Sequence, residues 1–93
     1  MPLKTISKTV TSAGTAERLS STDLLVWWAR VKAKTANAGT VYLGDAAVSS
    51  SDPGLVADDA IELRGHPNLN LYDVFVDAGT SSEGVDVWYL EYA

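Results

Sequence analysis

The 93-residue chain has no cysteine, one histidine and one methionine. Without cysteine there is no disulfide framework, no thiolate zinc site and no cysteine nucleophile, and nothing marks the redox compartment. The longest apolar run, Leu24 to Ala29, is far shorter than the ~20 residues that span a bilayer. The opening Met1-Pro2-Leu3-Lys4-Thr5 has a lysine but no apolar h-region behind it, so no secretory signal is expected and the product is expected to stay where it is made. Patterns of the G-x-S-x-G, Walker A, G-x-G-x-x-G and H-E-x-x-H types do not occur. His66 sits in Gly65-His66-Pro67-Asn68, which reads as a turn, with no evident nucleophile or base beside it. The expectation is a chain that is not an enzyme, with no catalytic, cofactor-binding or metal-binding residue. The loop acids Asp45, Asp52, Asp58 and Asp59 lack EF-hand spacing and are expected to make Asx turns.

What is present describes one small domain over residues 1–93. Apolar residues make up 46% of the chain, and 12 acidic against 7 basic side chains give a net charge of −5. A monomer of this size buries only roughly 60–65% of the surface its unfolded chain exposes, so burial against a partner would add usefully to its stability. Charge is divided along the chain. Residues 1–34 hold six basic side chains against Glu17 and Asp23, whereas residues 35–93 hold Arg64 alone against seven aspartates and three glutamates. The bases alternate with Ile6, Val10 and Val31 at strand spacing, so basic strands are expected to lie beside acidic ones in one sheet. The alternative is that residues 1–10 serve as an N-terminal arm on an acidic neighbour. An acidic total without a basic block argues against nucleic acid or anionic membrane as a partner.

Turn clusters at Thr11–Gly14, Ser20–Asp23, Ala36–Gly39, Ser49–Gly54, Gly65–Asn68 and Gly79–Gly84 separate runs of strand length. Most runs alternate: Val41 and Leu43 flank Tyr42, Ile61 and Leu63 flank Glu62, and Val74 and Val76 flank Phe75. Side chains two apart share a face, so each aliphatic pair marks the core side. Evenly spaced short strands predict an all-β antiparallel β-sandwich of about seven or eight strands, jelly-roll-like in its packing. Its expected core is Leu19, Leu25, Trp27, Ala29, Val31, Val41, Leu43, Ile61, Leu63, Val74 and Val76.

Residues 22–38 fit both a helix and a strand. Leu24, Leu25, Trp28 and Val31 make a helical stripe with Thr22 or Ser21 as cap, but the tandem tryptophans beside valine favour a strand. As a strand, Leu25, Trp27, Ala29, Val31 and Ala33 form the inner face, and Leu24, Val26 and Trp28 leave apolar area outside. Val85 to Tyr92 is apolar on both faces, with Val85, Val87 and Tyr89 on one and Trp88, Leu90 and Tyr92 on the other. An apolar outer face on so small a domain is expected to be covered by another chain. The expected interface residues are Leu24, Val26, Trp28, Trp88 and Tyr92. Exposed Trp28, Tyr42, Phe75 and Tyr92 are equally compatible with stacking on sugar rings.

The order Val10–Leu19 (VTSAGTAERL), Gly39–Gly44 (GTVYLG), Asp58–Leu63 (DDAIEL), Leu71–Ala78 (LYDVFVDA) and Val87–Leu90 (VWYL) resembles small structural proteins of tailed-phage virions. The resemblance runs over nearly the whole chain. It implies a compact antiparallel sandwich assembled as an oligomer, expected to be a trimer, on the capsid surface of a virion made in the host cytoplasm. The implied role is capsid decoration, or cement, in contact with the major capsid protein or another virion protein. The alternative is a carbohydrate- or receptor-binding module of a head or tail fibre, for which a glycan is the ligand. The chain departs from the pattern at Leu24–Trp28, where a Val/Ile-rich strand is usual, and in the longer Ser49–Gly54 loop.

Overall fold

The computed structural model describes residues 3–91, with the backbone alone at 66–68. Eight strands occur among them: β1 (Leu3–Thr9), β2 (Glu17–Arg18), β3 (Leu25–Ala33), β4 (Val41–Gly44), β5 (Gly54–Leu55), β6 (Ala60–Asn70), β7 (Phe75–Ala78) and β8 (Gly84–Glu91). One 3-10 turn, Leu71–Asp73, joins β6 to β7. The strands form two four-stranded sheets, β1-β8-β3-β6 and β2-β7-β4-β5, with every pairing antiparallel. Pairs 1–8, 2–7, 3–6 and 4–5 are successive rungs of one long hairpin, whose tip is the β4–β5 loop. Wrapping that hairpin on itself adds pairs 3–8 and 4–7. This is the strand order of a jelly roll, two interlocked Greek keys in two sheets, and it agrees with the sandwich expected from the sequence.

Alternation does build the core. Val85, Val87 and Tyr89 of β8, Ala29, Val31 and Ala33 of β3, Val41 of β4 and Val76 of β7 are all buried. Leu43, Leu63 and Val74 pack against this cluster in part. Each fully buried valine contributes roughly 1.5–3 kcal/mol by removal of apolar surface from water. Leu71 adds a fully buried side chain from the 3-10 turn. The turn is held in place by Asn70, whose Oδ1 accepts hydrogen bonds from the Leu24 and Tyr72 backbone N–H groups, each at 3.0 Å.

Residues 22–38 contain strand β3 and no helix, but its first half is not phased as expected. Between Val26 and Trp28 the register shifts: β3 advances two residues while β8 advances one, from Glu91 to Leu90. Trp27 is therefore the extra residue of a β-bulge, which resets which face each side chain takes. Val26 is 0% exposed and lies in the core, whereas Leu25 and Trp27 are 40% and 37% exposed. The expected core positions of Leu25 and Trp27, and the expected outer position of Val26, are corrected by this bulge. Across β6 the same shift is larger. Trp28 pairs with Arg64 and Val26 with Leu69, so the Gly65–Asn68 segment, read as a turn, is an irregularity inside a single strand.

Candidate interaction surface

The two outer faces of the sandwich are finished differently. On the β2-β7-β4-β5 sheet, the chain covers its own outer face. The segment after β4 brings Val48, 6% exposed, so close to Gly44 that a Cβ there would lie 3.1 Å from Val48 Cβ. The loop after Val10 places the Gly14 N–H 2.9 Å from Asp77 Oδ1. The Arg18 guanidinium lies 3.8 Å from the Tyr72 ring centroid and 4.7 Å from that of Phe75, and Nη1 donates to the Tyr72 carbonyl at 2.7 Å. Phe75 is thus a platform already occupied by a cation. Asp77, which alternation puts on the outer face with Phe75, opposite the core pair Val74 and Val76, is 2% exposed beneath that loop.

The outer face of β1-β8-β3-β6 has no such covering loop in the described hydrogen-bond pattern. Register places Leu3, Leu90, Trp28 and Arg64 in one row across the sheet, then Thr5, Trp88, Arg30 and Glu62, then Ser7, Asp86, Lys32 and Ala60. One end of the face is apolar and the other polar. Leu3 is 60% exposed, and the β3 bulge adds exposed Leu25 and Trp27 near the apolar end. Trp28 and Trp88 are half-buried on this face, where the sequence placed them. Leu24 is instead partly buried against the core, Val26 is wholly inside, and Tyr92 lies outside the described residues. Leu3, Leu25, Trp27 and Leu90 were not among the expected interface residues. For Leu25 and Trp27 no periodicity signal could have supplied them, because unbroken alternation puts both inside.

The basic side chains on and beside this face are paired within the fold. Arg30 Nη1 and Arg64 Nη2 lie 3.8 and 3.0 Å from Glu62, Lys32 Nζ lies 3.5 Å from Asp58, and Lys4 Nζ lies 3.1 Å from Glu91. Basic and acidic strands complement one another here as the alternating bases suggested. Residues 3–9 of the segment considered as an arm form β1. A fifth pair joins the two sheets: Lys8 Nζ on β1 lies 2.9 Å from Glu17 Oε1 on β2. The Lys8 hydrogen bond holds the Glu17 carboxyl below the ordinary glutamate range. The Thr11 N–H at 2.7 Å pulls the same way, and burial opposes both. Asp58 is held low first by the Thr35 hydroxyl at 2.6 Å and then by Lys32.

The other loop acids make the turn bonds expected of them: Asp45 accepts from Ala47 N–H, Asp52 from Ser49 N–H and Asp59 from Val56 N–H. Among the described residues no three of His, Asp or Glu converge as metal ligands would. The side chain of His66 lies outside the description. An open sheet face that is apolar at one end and charged at the other can bind by area and shape, which suits a macromolecular partner. No protein-family model, curated protein or solved structure matches the chain significantly.

Proposed function

We propose that this chain is a virion structural protein of a tailed phage, a decoration or cement protein that assembles as an oligomer and stabilises the head lattice. The observation that carries the reading is the contrast between the two outer faces. One is covered by the chain's own loops, and the other presents Leu3, Leu25, Trp27, Trp28 and Trp88 from regular strands and a bulge. Regular strands fix such a surface in place, as a lattice contact needs. Jelly rolls recur in viral capsid domains and equally in lectins, so the fold supports the reading only together with the surface. A trimer would cover part of this face with a sister subunit and leave the rest for the major capsid protein. A specific contact of this kind buries about 1,000 Å² or more.

The test combines sedimentation with head binding. The reading expects an oligomer at tens of micromolar and co-sedimentation with heads of the encoding phage. It also expects a Trp28→Glu variant, folded by circular dichroism, to lose head binding. A monomer that ignores assembled heads would overturn the proposal.

A further inference from the structure

Beside Trp88 the outer face is not flat. A groove of about 290 Å³ runs between β1 and β8, with Thr5, Ser7, Asp86 and Trp88 along it. Trp88 is half-buried with its cross-strand neighbours Thr5 and Arg30, and among the described residues no cation stands over its ring. Trp88 therefore lends the groove aromatic surface that no described cation occupies. Asp86 is fixed by a single bond: Ser7 Oγ donates to Oδ1 at 2.9 Å. Lys32 is the residue directly opposite Asp86 on β3, but its ammonium is turned away to Asp58 at 3.5 Å and Thr35 Oγ1 at 3.3 Å. The Asp86 Oδ2 atom therefore has no protein partner among the described residues. Thr5, exposed and opposite Trp88, adds a hydroxyl that likewise has no side-chain hydrogen bond among the described residues.

We propose that on the unassembled chain this groove binds a single neutral pyranose ring, the terminal sugar of a glycan; Trp88 is shared with the contact surface proposed above, so bound sugar and lattice contact compete for it. The C–H face of the ring lies on Trp88, two of its hydroxyls donate to Asp86 Oδ2, and Thr5 Oγ1 bonds a third. The inventory fits that ligand class: one aromatic platform, a carboxylate oriented by a neighbouring hydroxyl, and a concavity holding a few placed polar groups. A carboxylate with a free oxygen accepts hydroxyl protons well and repels anions, so the site selects neutral over acidic sugars.

The full chain, labelled with 15N, is titrated with the methyl glycosides of glucose, galactose, mannose and N-acetylglucosamine. At least one is expected to give saturable amide shifts centred on Thr5, Ser7, Asp86 and Trp88. Asp86→Asn, isosteric and at the surface, is expected to weaken that binding about tenfold or more, and Trp88→Ala to abolish it. Tyr42→Leu, on the opposite sheet, is expected to leave it unchanged. No saturable shift with any of the four, shifts centred elsewhere, or shifts that survive Asp86→Asn at full strength would overturn the site. Because Trp88→Ala also tests the stability of β8, the Asp86→Asn result decides where the two disagree. Head binding by Asp86→Asn is read separately, so the sugar site and the decoration role stand or fall on different measurements.

Discussion

Asp77 shows how much one side chain can organise in a domain this small. Its Oδ1 accepts from the Gly14 N–H at 2.9 Å and the Ala78 N–H at 2.7 Å, and the residue is 2% exposed. Through it the Thr11–Ala16 loop is fastened over β7. Asp77→Ala leaves two backbone donors without their acceptor, and the expected loss is about 1–3 kcal/mol. Asp77→Asn keeps an acceptor oxygen and should cost less than Asp77→Ala. Urea denaturation of the two variants, compared with the parent chain, gives the order. Gly84 makes a second residue-scale constraint. A Cβ there would overlap the Lys8 carbonyl oxygen, and Asn37, itself buried, already bonds both the N–H and the C=O of Gly84 at 3.2 and 2.8 Å. β8 is anchored on the Asn37 side, so Gly84→Ala is expected to push β1 away instead. Hydrogen exchange should show Leu3–Thr9 losing protection while β3 keeps it. Equal protection of β1 in both proteins would contradict this account.

At the scale of elements, the β3 bulge decides which tryptophans and leucines the molecule shows. It predicts that Val26→Thr, which buries a hydroxyl without a partner, costs about 1–3 kcal/mol. Leu25→Thr, at an exposed position, should stay within about 0.5 kcal/mol. Uninterrupted alternation predicts the reverse order, so thermal melts of the two variants distinguish the two phasings. Much of the fold was nonetheless legible in the sequence. Val41, Ile61, Val76 and Val85–Tyr89 announce their strands by period two, and Gly and Asp clusters mark most of the connections. Turn chemistry and apolar alternation are local properties, so they show where strands lie but not which strands pair: of the pairings here, β4–β5 alone joins strands consecutive in the chain. What was not legible depends on contacts between distant segments. A bulge is fixed by the pairing of β3 with both β8 and β6, and no residue within Leu24–Trp28 encodes the shift by itself. The Gly65–Asn68 cluster carries turn chemistry but lies within β6, where it serves an irregular register. Asp77 looked outward because alternation describes a bare sheet and says nothing of a loop that later covers it. The candidate surface was half legible for the same reason: Trp28 and Trp88 lie beyond or away from the bulge, whereas Leu24 and Val26 precede it.

At the scale of the whole molecule, the sandwich has to be closed along the side where the edge strands β1 and β2 meet. There the Lys8–Glu17 ion pair at 2.9 Å ties one sheet to the other across a cleft of about 640 Å³ lined also by Arg18 and Tyr72. Because β2 is only two residues long, few backbone bonds share this task. Glu17 has a folded-state pKa below its ordinary value, so folding favours its ionised form. The pair's contribution is complete at pH above the ordinary glutamate range and is lost as pH falls through the lowered folded value. Both side chains are partly exposed, 27% for Lys8 and 21% for Glu17, which limits the pair to about 1 kcal/mol or less and makes it weaker at high salt. Glu17→Gln is therefore expected to lower stability slightly at neutral pH and to converge on the parent chain in acid. Urea midpoints measured at both pH values test this. A Glu17→Gln deficit that persists unchanged at low pH would assign the loss to packing and to the Thr11 N–H bond, not to the charge. The same acidification should raise exchange in β1 before β3, since β1 is an edge strand paired with β8 alone among the described strands, whereas β3 is paired on both sides.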